Sequence, residues 1–170
     1  EIYQGEALAA AARFARLIEV ETVPLERARF GYWQSLALLA AGECDLVAEP
    51  LNAAMAEVEP VDSDLLQIAA RVRATCNDAV DASLEEAVQW AELAYQQRPD
   101  VFSSETLAMT FAALGRWQDA VDLQAQAIFE ALKRGELDAR PALQANMARY
   151  QEELPASQPL MEGDPIFLPD

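Results

Sequence analysis

Residues 102–132 read FSSETLAMTFAALGRWQDAVDLQAQAIFEAL, and this stretch decides the fold class. Leu107, Ala108 and Phe111 recur at three- and four-residue spacing, then Gly115 interrupts, and Trp117, Ala120 and Ala127 resume the stripe. Such spacing predicts two amphipathic helices, 103–114 and 117–133, joined by a glycine turn. The same test applied outward gives further helices at about 5–19, 25–41, 45–57, 64–75, 84–97 and 140–153. Punctuation agrees: Gly42 ends one helix, Pro60 and Pro99 end two more, and Pro141 suits the first turn of the last. Asp62 or Ser63 serves as a cap, and Ser83 followed by Glu86 forms a capping-box pattern. From Pro155 onward four prolines (155, 159, 165 and 169) exclude a helix and leave an extended tail. The class is therefore all-α, with about eight helices in one domain over 1–154 and a Pro-rich tail over 155–170.

Internal comparison turns this series into a stack. Ala87, Ala91 and Ala94 recur 33 residues later as Ala120, Gln124 and Ala127. Ile68-Ala69 and Val72 match Leu107-Ala108 and Phe111 at an offset of 39, which implies an insertion of about six residues around 77–82. Units at 28–60, 62–99 and 101–133 follow, closed by helix 140–153. The pattern Leu107-Ala108, Phe111, Gly115, Trp117, Ala120 and Ala127 resembles the tetratricopeptide repeat. That resemblance covers roughly 28–133 and is sharpest in the third unit; the first has only Ser35, Leu38, Gly42 and Ala54 at corresponding places. It implies an α-solenoid of stacked antiparallel helix hairpins, in which small residues such as Ala108 and Ala120 let helices approach closely. It also implies a concave groove lined by the first helix of each hairpin. By this correspondence Arg29, Tyr32, Leu36 and Leu39 face the groove, then Ser63, Leu66, Ala70 and Arg73, then Phe102, Glu105, Met109 and Ala112. Arg29, Tyr32, Leu36, Arg73, Phe102, Glu105 and Met109 are the partner-binding candidates, since Arg, Met and aromatic side chains are the types that anchor interfaces. The alternative is that they pack against the terminal helices.

Composition narrows the chemistry. The chain has 170 residues, 29 acidic and 12 basic, for a formal net charge of -17, and no histidine. Apolar residues form 52% of it, enough for a core. So acidic a surface repels phosphate, which argues against nucleic-acid or anionic-membrane partners. No apolar run approaches the roughly 20 residues of a membrane span. The usual general base and the commonest zinc ligand are both missing with histidine. No nucleotide-loop, nucleophile-elbow or metalloprotease motif occurs. Adjacent acids such as Glu85-Glu86 diverge on a helix, and Asn77 to Asp81 lacks the spacing of a calcium loop. The expectation is a non-catalytic protein without cofactor or metal.

Cys44 and Cys76 remain. They fall at the start of one helix and the end of the next, and their midpoint is Pro60. An antiparallel hairpin places them at one level, where a disulfide would contribute about 3 kcal/mol by closing the loop; two separate buried thiols are the other reading. A disulfide implies an oxidising compartment such as a periplasm, whereas thiols are compatible with a cytoplasmic one. The chain opens on Glu1 rather than Met, as a processed or trimmed chain does, so a missing leader says nothing about compartment.

The tail carries Leu160, Met161, Ile166, Phe167 and Leu168, apolar for a terminus. It reads either as a free linker or as a strap along the groove with Phe167 as anchor. Two functions follow. One is a scaffold binding a protein or peptide in the groove; the other is an assembly or regulatory module of a larger protein or homo-oligomer, with the tail docking on the groove.

Overall fold

The computed structural model describes residues 2–76, 84–161, 164 and 166. Among them are eight α-helices and one 3-10 turn, with no strand. In chain order these are α1 (Ile2–Val20), α2 (Pro24–Ala40), α3 (Cys44–Glu57), α4 (Ser63–Thr75), α5 (Leu84–Gln97), α6 (Val101–Ala113), α7 (Trp117–Arg134) and α8 (Pro141–Gln151). The 3-10 turn, Leu137–Ala139, precedes α8. The all-α class and the helix order match the sequence reading to within three residues at each described boundary. The Ser83 cap and the Asn77 to Asp81 loop lie outside the described residues, as do Phe167 and Leu168.

Local chemistry explains where the helices begin and end. Asp62 accepts the Leu65 N–H at 3.0 Å, capping α4. At α6, Asp100 accepts the Ser103 N–H while the Ser103 hydroxyl accepts the Asp100 N–H, a reciprocal capping box. Three helices end by the same device. Glu43, Arg116 and Glu136 donate their N–H groups to the carbonyls of Leu38, Phe111 and Ala131, five residues back. The residues just before them, Gly42, Gly115 and Gly135, have φ near +70 to +80°, a backbone region that glycine enters without steric cost. Gly42 and Gly115 lie at the same place in their hairpins, two residues before α3 and α7.

Helices adjacent in sequence pack together, and α4 also packs on α6. The hairpins α2–α3, α4–α5 and α6–α7 therefore stand side by side, with α8 closing against α7. Alanines line the contacts: Ala87, Ala91 and Ala94 of α5, Ala108 and Ala112 of α6, and Ala120, Ala127 and Ala131 of α7 are all fully buried. Gly31 of α2 is tighter still. A Cβ there would lie 2.8 Å from Ala54 Cβ and 3.2 Å from the Pro50 carbonyl oxygen, so α2 and α3 touch almost backbone to backbone. Large residues fill the spaces beside these contacts, as with Val47, Leu51, Ile68 and Val72 between α3 and α4.

Cys44 and Cys76 form a disulfide with Cα atoms 5.7 Å apart. It joins the first residue of α3 to the residue after α4, the level predicted from the Pro60 midpoint. No helix of the described residues is long and apolar enough to cross a membrane.

Two stability predictions follow from these contacts. Cys76→Ser, or reduction of the wild type, is expected to lower unfolding free energy by about 3 kcal/mol; unchanged urea midpoints with and without reductant would refute the crosslink. Gly31→Ala is expected to cost about 1–3 kcal/mol through overpacking, although alanine ordinarily favours a helix, and the same urea titration reads it.

Candidate functional site: the first-helix face and its strap

The tail packs against residues of the first helices α2, α4 and α6 and of α8, which together form the first-helix face. Arg71 of α4 sits at its centre. The Arg71 side chain is 1% exposed and its ion-pair partner Glu105 of α6 is 3% exposed, with Nη2 to Oε2 at 2.8 Å. Nε donates to the Thr106 hydroxyl at 2.8 Å, Nη2 also donates to the Phe102 carbonyl at 3.2 Å, and Nη1 donates to the Pro159 carbonyl at 3.2 Å. The guanidinium covers the Phe102 ring, 3.8 Å from its centroid. A buried arginine is tolerable only when its donors are met, and here each of its three nitrogens is.

Around this pair lie further buried polar groups. Asn146 of α8 donates to Glu105 Oε1 at 3.4 Å. The Tyr150 hydroxyl is buried without a hydrogen-bond partner among the described residues; burial and then the Glu105 charge push this phenol up. Asp164, 4% exposed, accepts the Met161 N–H at 2.7 Å and returns its own N–H to the Met161 carbonyl at 3.0 Å, closing a turn.

The tail runs back over the stack from α8. Arg149 Nε donates to the Pro155 carbonyl at 2.6 Å, Ala156 joins the apolar cluster around Tyr150 and Met109, and Pro159 meets Arg71. Leu160 is buried in the cluster of Leu36, Val47, Leu51, Ile68 and Val72, against which Tyr32, Leu39, Phe102 and Ile166 pack. Between Pro155 and Leu160 the tail is therefore seated on its own chain rather than free, while the expected anchor, Phe167, lies outside the described residues.

This arrangement revises the groove candidates. Leu36, Glu105 and Met109 are buried rather than exposed to a partner, because the tail and α8 cover that part of the face. Arg73 leaves the face altogether: it pairs with Glu86 of α5 at 2.8 Å and stacks on Trp90, 4.4 Å from the ring centroid. Phe102 is half-buried beneath Arg71. Arg29 is exposed and paired with Glu26 at 2.9 Å, and Tyr32 is half-buried.

Arg29 and Tyr32 do share one open cavity. It has a volume of about 280 Å³ and lies between the starts of α2 and α4, where Trp33 and Leu25 complete an apolar wall and Asp62 and Asp64 form the rim. Trp33 is 45% exposed and meets Tyr32 edge to face at 5.3 Å. Burial, reinforced by Asp64 and Asp62, pushes the Tyr32 phenol up, so it remains a neutral donor. The Asp64 carboxylate is bridged by Arg98, which also holds Asp100 at 2.8 Å. No cluster of three or more metal-ligating side chains occurs among the described residues.

Sequence reasoning missed Arg71, Asp164 and Trp33 as parts of this face. The signal for Arg71 was present. It lies three residues after Ile68 and beside Val72, on the inward stripe of α4, and a charged residue in that register needs a partner.

Arg71→Met is expected to cost about 3–5 kcal/mol, because Glu105 is left buried and unpaired, whereas Arg71→Met with Glu105→Leu should recover much of the loss. Urea unfolding of the three chains measures the coupling; additive losses would show that the pair is not linked. No family model, curated protein or solved structure gives a significant match to this chain.

Proposed function

We propose that this chain is a non-catalytic scaffold of tetratricopeptide-like hairpins that binds a protein or peptide on its first-helix face. The observation that carries the reading is the seated tail. A non-helical segment lies on the face with one carbonyl held by a buried guanidinium and one leucine in an apolar slot. That is how a groove recognises a peptide: the backbone contact gives affinity and the pocket gives selectivity. The cavity beside Tyr32 and Trp33 extends the same face beyond the strap and supplies an aromatic anchor point.

Acidic residues rim this end, and the chain carries a net charge of -17. The reading therefore favours a neutral or basic partner whose binding weakens with salt. The disulfide supports an oxidising compartment for the chain.

The assembly reading has its own support at the first end of the stack. Leu17, Val20, Val23, Leu25 and Leu46 are exposed there, and a cleft of about 410 Å³ lies over the α2–α3 contact, beside Ile18 of α1. Sedimentation over a range of concentrations separates the two: a mass that rises to a dimer supports assembly, and a constant monomer mass excludes self-association through this end.

The scaffold reading is tested by affinity capture from the native source with wild type and an Arg29→Ala/Trp33→Ala chain. Both side chains are substantially exposed, so helicity should be unchanged. Partner recovery is expected to fall at least tenfold; equal recovery of every partner would overturn the groove assignment.

A further inference from the structure

The tail is held by good contacts and by one poor one. Arg149 and Arg71 donate to its Pro155 and Pro159 carbonyls, and Leu160 fills the slot. The proline content reduces the entropy lost on docking. Against these stands Asp164, a carboxylate buried on the same face as Glu105. The tail also leaves the Tyr150 hydroxyl unmet by any described group. A segment selected only to seal the core would end in an apolar or amide side chain there.

We propose that residues 155–161, with Asp164, are a displaceable occupant of the first-helix face, holding it against a partner segment with the same Pro-Leu step but no buried acid. This rests on the scaffold reading above and names the partner class for it. Pro159 and Leu160 define what the site takes: a carbonyl presented to Arg71, followed by an aliphatic side chain of leucine size. Asp164 defines what makes the occupant weak.

The electrostatics give this competition a pH dependence. Burial raises the Asp164 carboxyl, the Met161 N–H lowers it, the Glu105 carboxylate raises it, and Arg71 and Arg140 lower it; the net direction is up. The charged groups facing it are thus Glu105 from α6, Arg71 from α4 and Arg140 at the start of α8. A carboxyl raised in the docked state takes up a proton on docking. Its contribution is therefore fully present below the free carboxyl's pKa and is lost as pH rises through the docked value. Acidification tightens the strap, and neutral pH loosens it.

The test uses the full chain in three forms: wild type, Leu160→Glu to expel the tail, and Asp164→Asn to remove its charge while keeping an acceptor for Met161. The probe is a fluorescent synthetic peptide of residues 155–166 carrying Asp164→Asn, followed by anisotropy at pH 7.5 and pH 5. Leu160→Glu is expected to bind the probe at least tenfold more tightly than wild type, and Asp164→Asn severalfold more weakly. Wild-type affinity should fall toward that of Asp164→Asn at pH 5. Absence of binding to all three chains, or one Kd shared by all, overturns the proposal. If circular dichroism shows that Leu160→Glu has lost its helices, the wild-type and Asp164→Asn pair decides alone, and equal affinities at both pH values overturn it. Such a failure is distinct from failure of the scaffold reading, which is read from partner capture by the Arg29→Ala/Trp33→Ala chain.

Discussion

Arg71 is the constraint around which the inner face is organised. A guanidinium taken out of water costs several kcal/mol unless its donors are satisfied. Its planar fork reaches two other segments at once: the Glu105 and Thr106 side chains and the Phe102 carbonyl of α6, and the Pro159 carbonyl of the tail. The neighbouring hairpins α4–α5 and α6–α7 and the returning tail therefore share one charge centre. Lysine could not replace it, since a single ammonium has neither the reach nor the geometry for four acceptors in different directions.

The approach of helices that makes this possible comes from small side chains. Alanines along α5, α6 and α7 and Gly31 against Ala54 bring helices close, and glycine turns at Gly42 and Gly115 end the first helices of two hairpins with the same left-handed backbone. Hairpins packed in this way bury apolar clusters between neighbours and leave part of the α2, α4 and α6 surface to be covered by another segment. In this molecule the tail covers the central part of that surface, and the α2–α4 end stays open. The face is thereby divided into a closed section of apolar and paired polar contacts and an exposed section with aromatic walls and an acidic rim.

The acid excess acts differently in the two sections. Exposed carboxylates on the outer helices keep an alanine-rich stack soluble by mutual repulsion. Buried ones are costly and must be matched. Glu105 is matched by Arg71, whereas Asp164 is only partly compensated by a backbone N–H and two arginines. The same residue type is thus a solubility device outside and a source of instability inside.

Helix identity, helix order and the turn glycines were all legible in the sequence, because apolar spacing, capping residues and glycine conformations act over a few residues. The disulfide pairing was legible as one of two readings, because a hairpin's geometry places Cys44 beside Cys76 whatever packs around it. The groove residues were legible only as a register. The family resemblance implied a groove position for Glu105 and Met109, but not one beneath a tail that returns from the other end of the chain. Arg73 and Arg71 are two residues apart on one helix, and only the packing of α5 beside the first and α6 beside the second decided which of them was buried. What the sequence by itself determined is the set of helices and their apolar stripes, since those follow from local periodicity. What only the tertiary structure decided is which stripes remain open, because that depends on a contact between Arg71 and Pro159, 88 residues apart, and no local pattern encodes it.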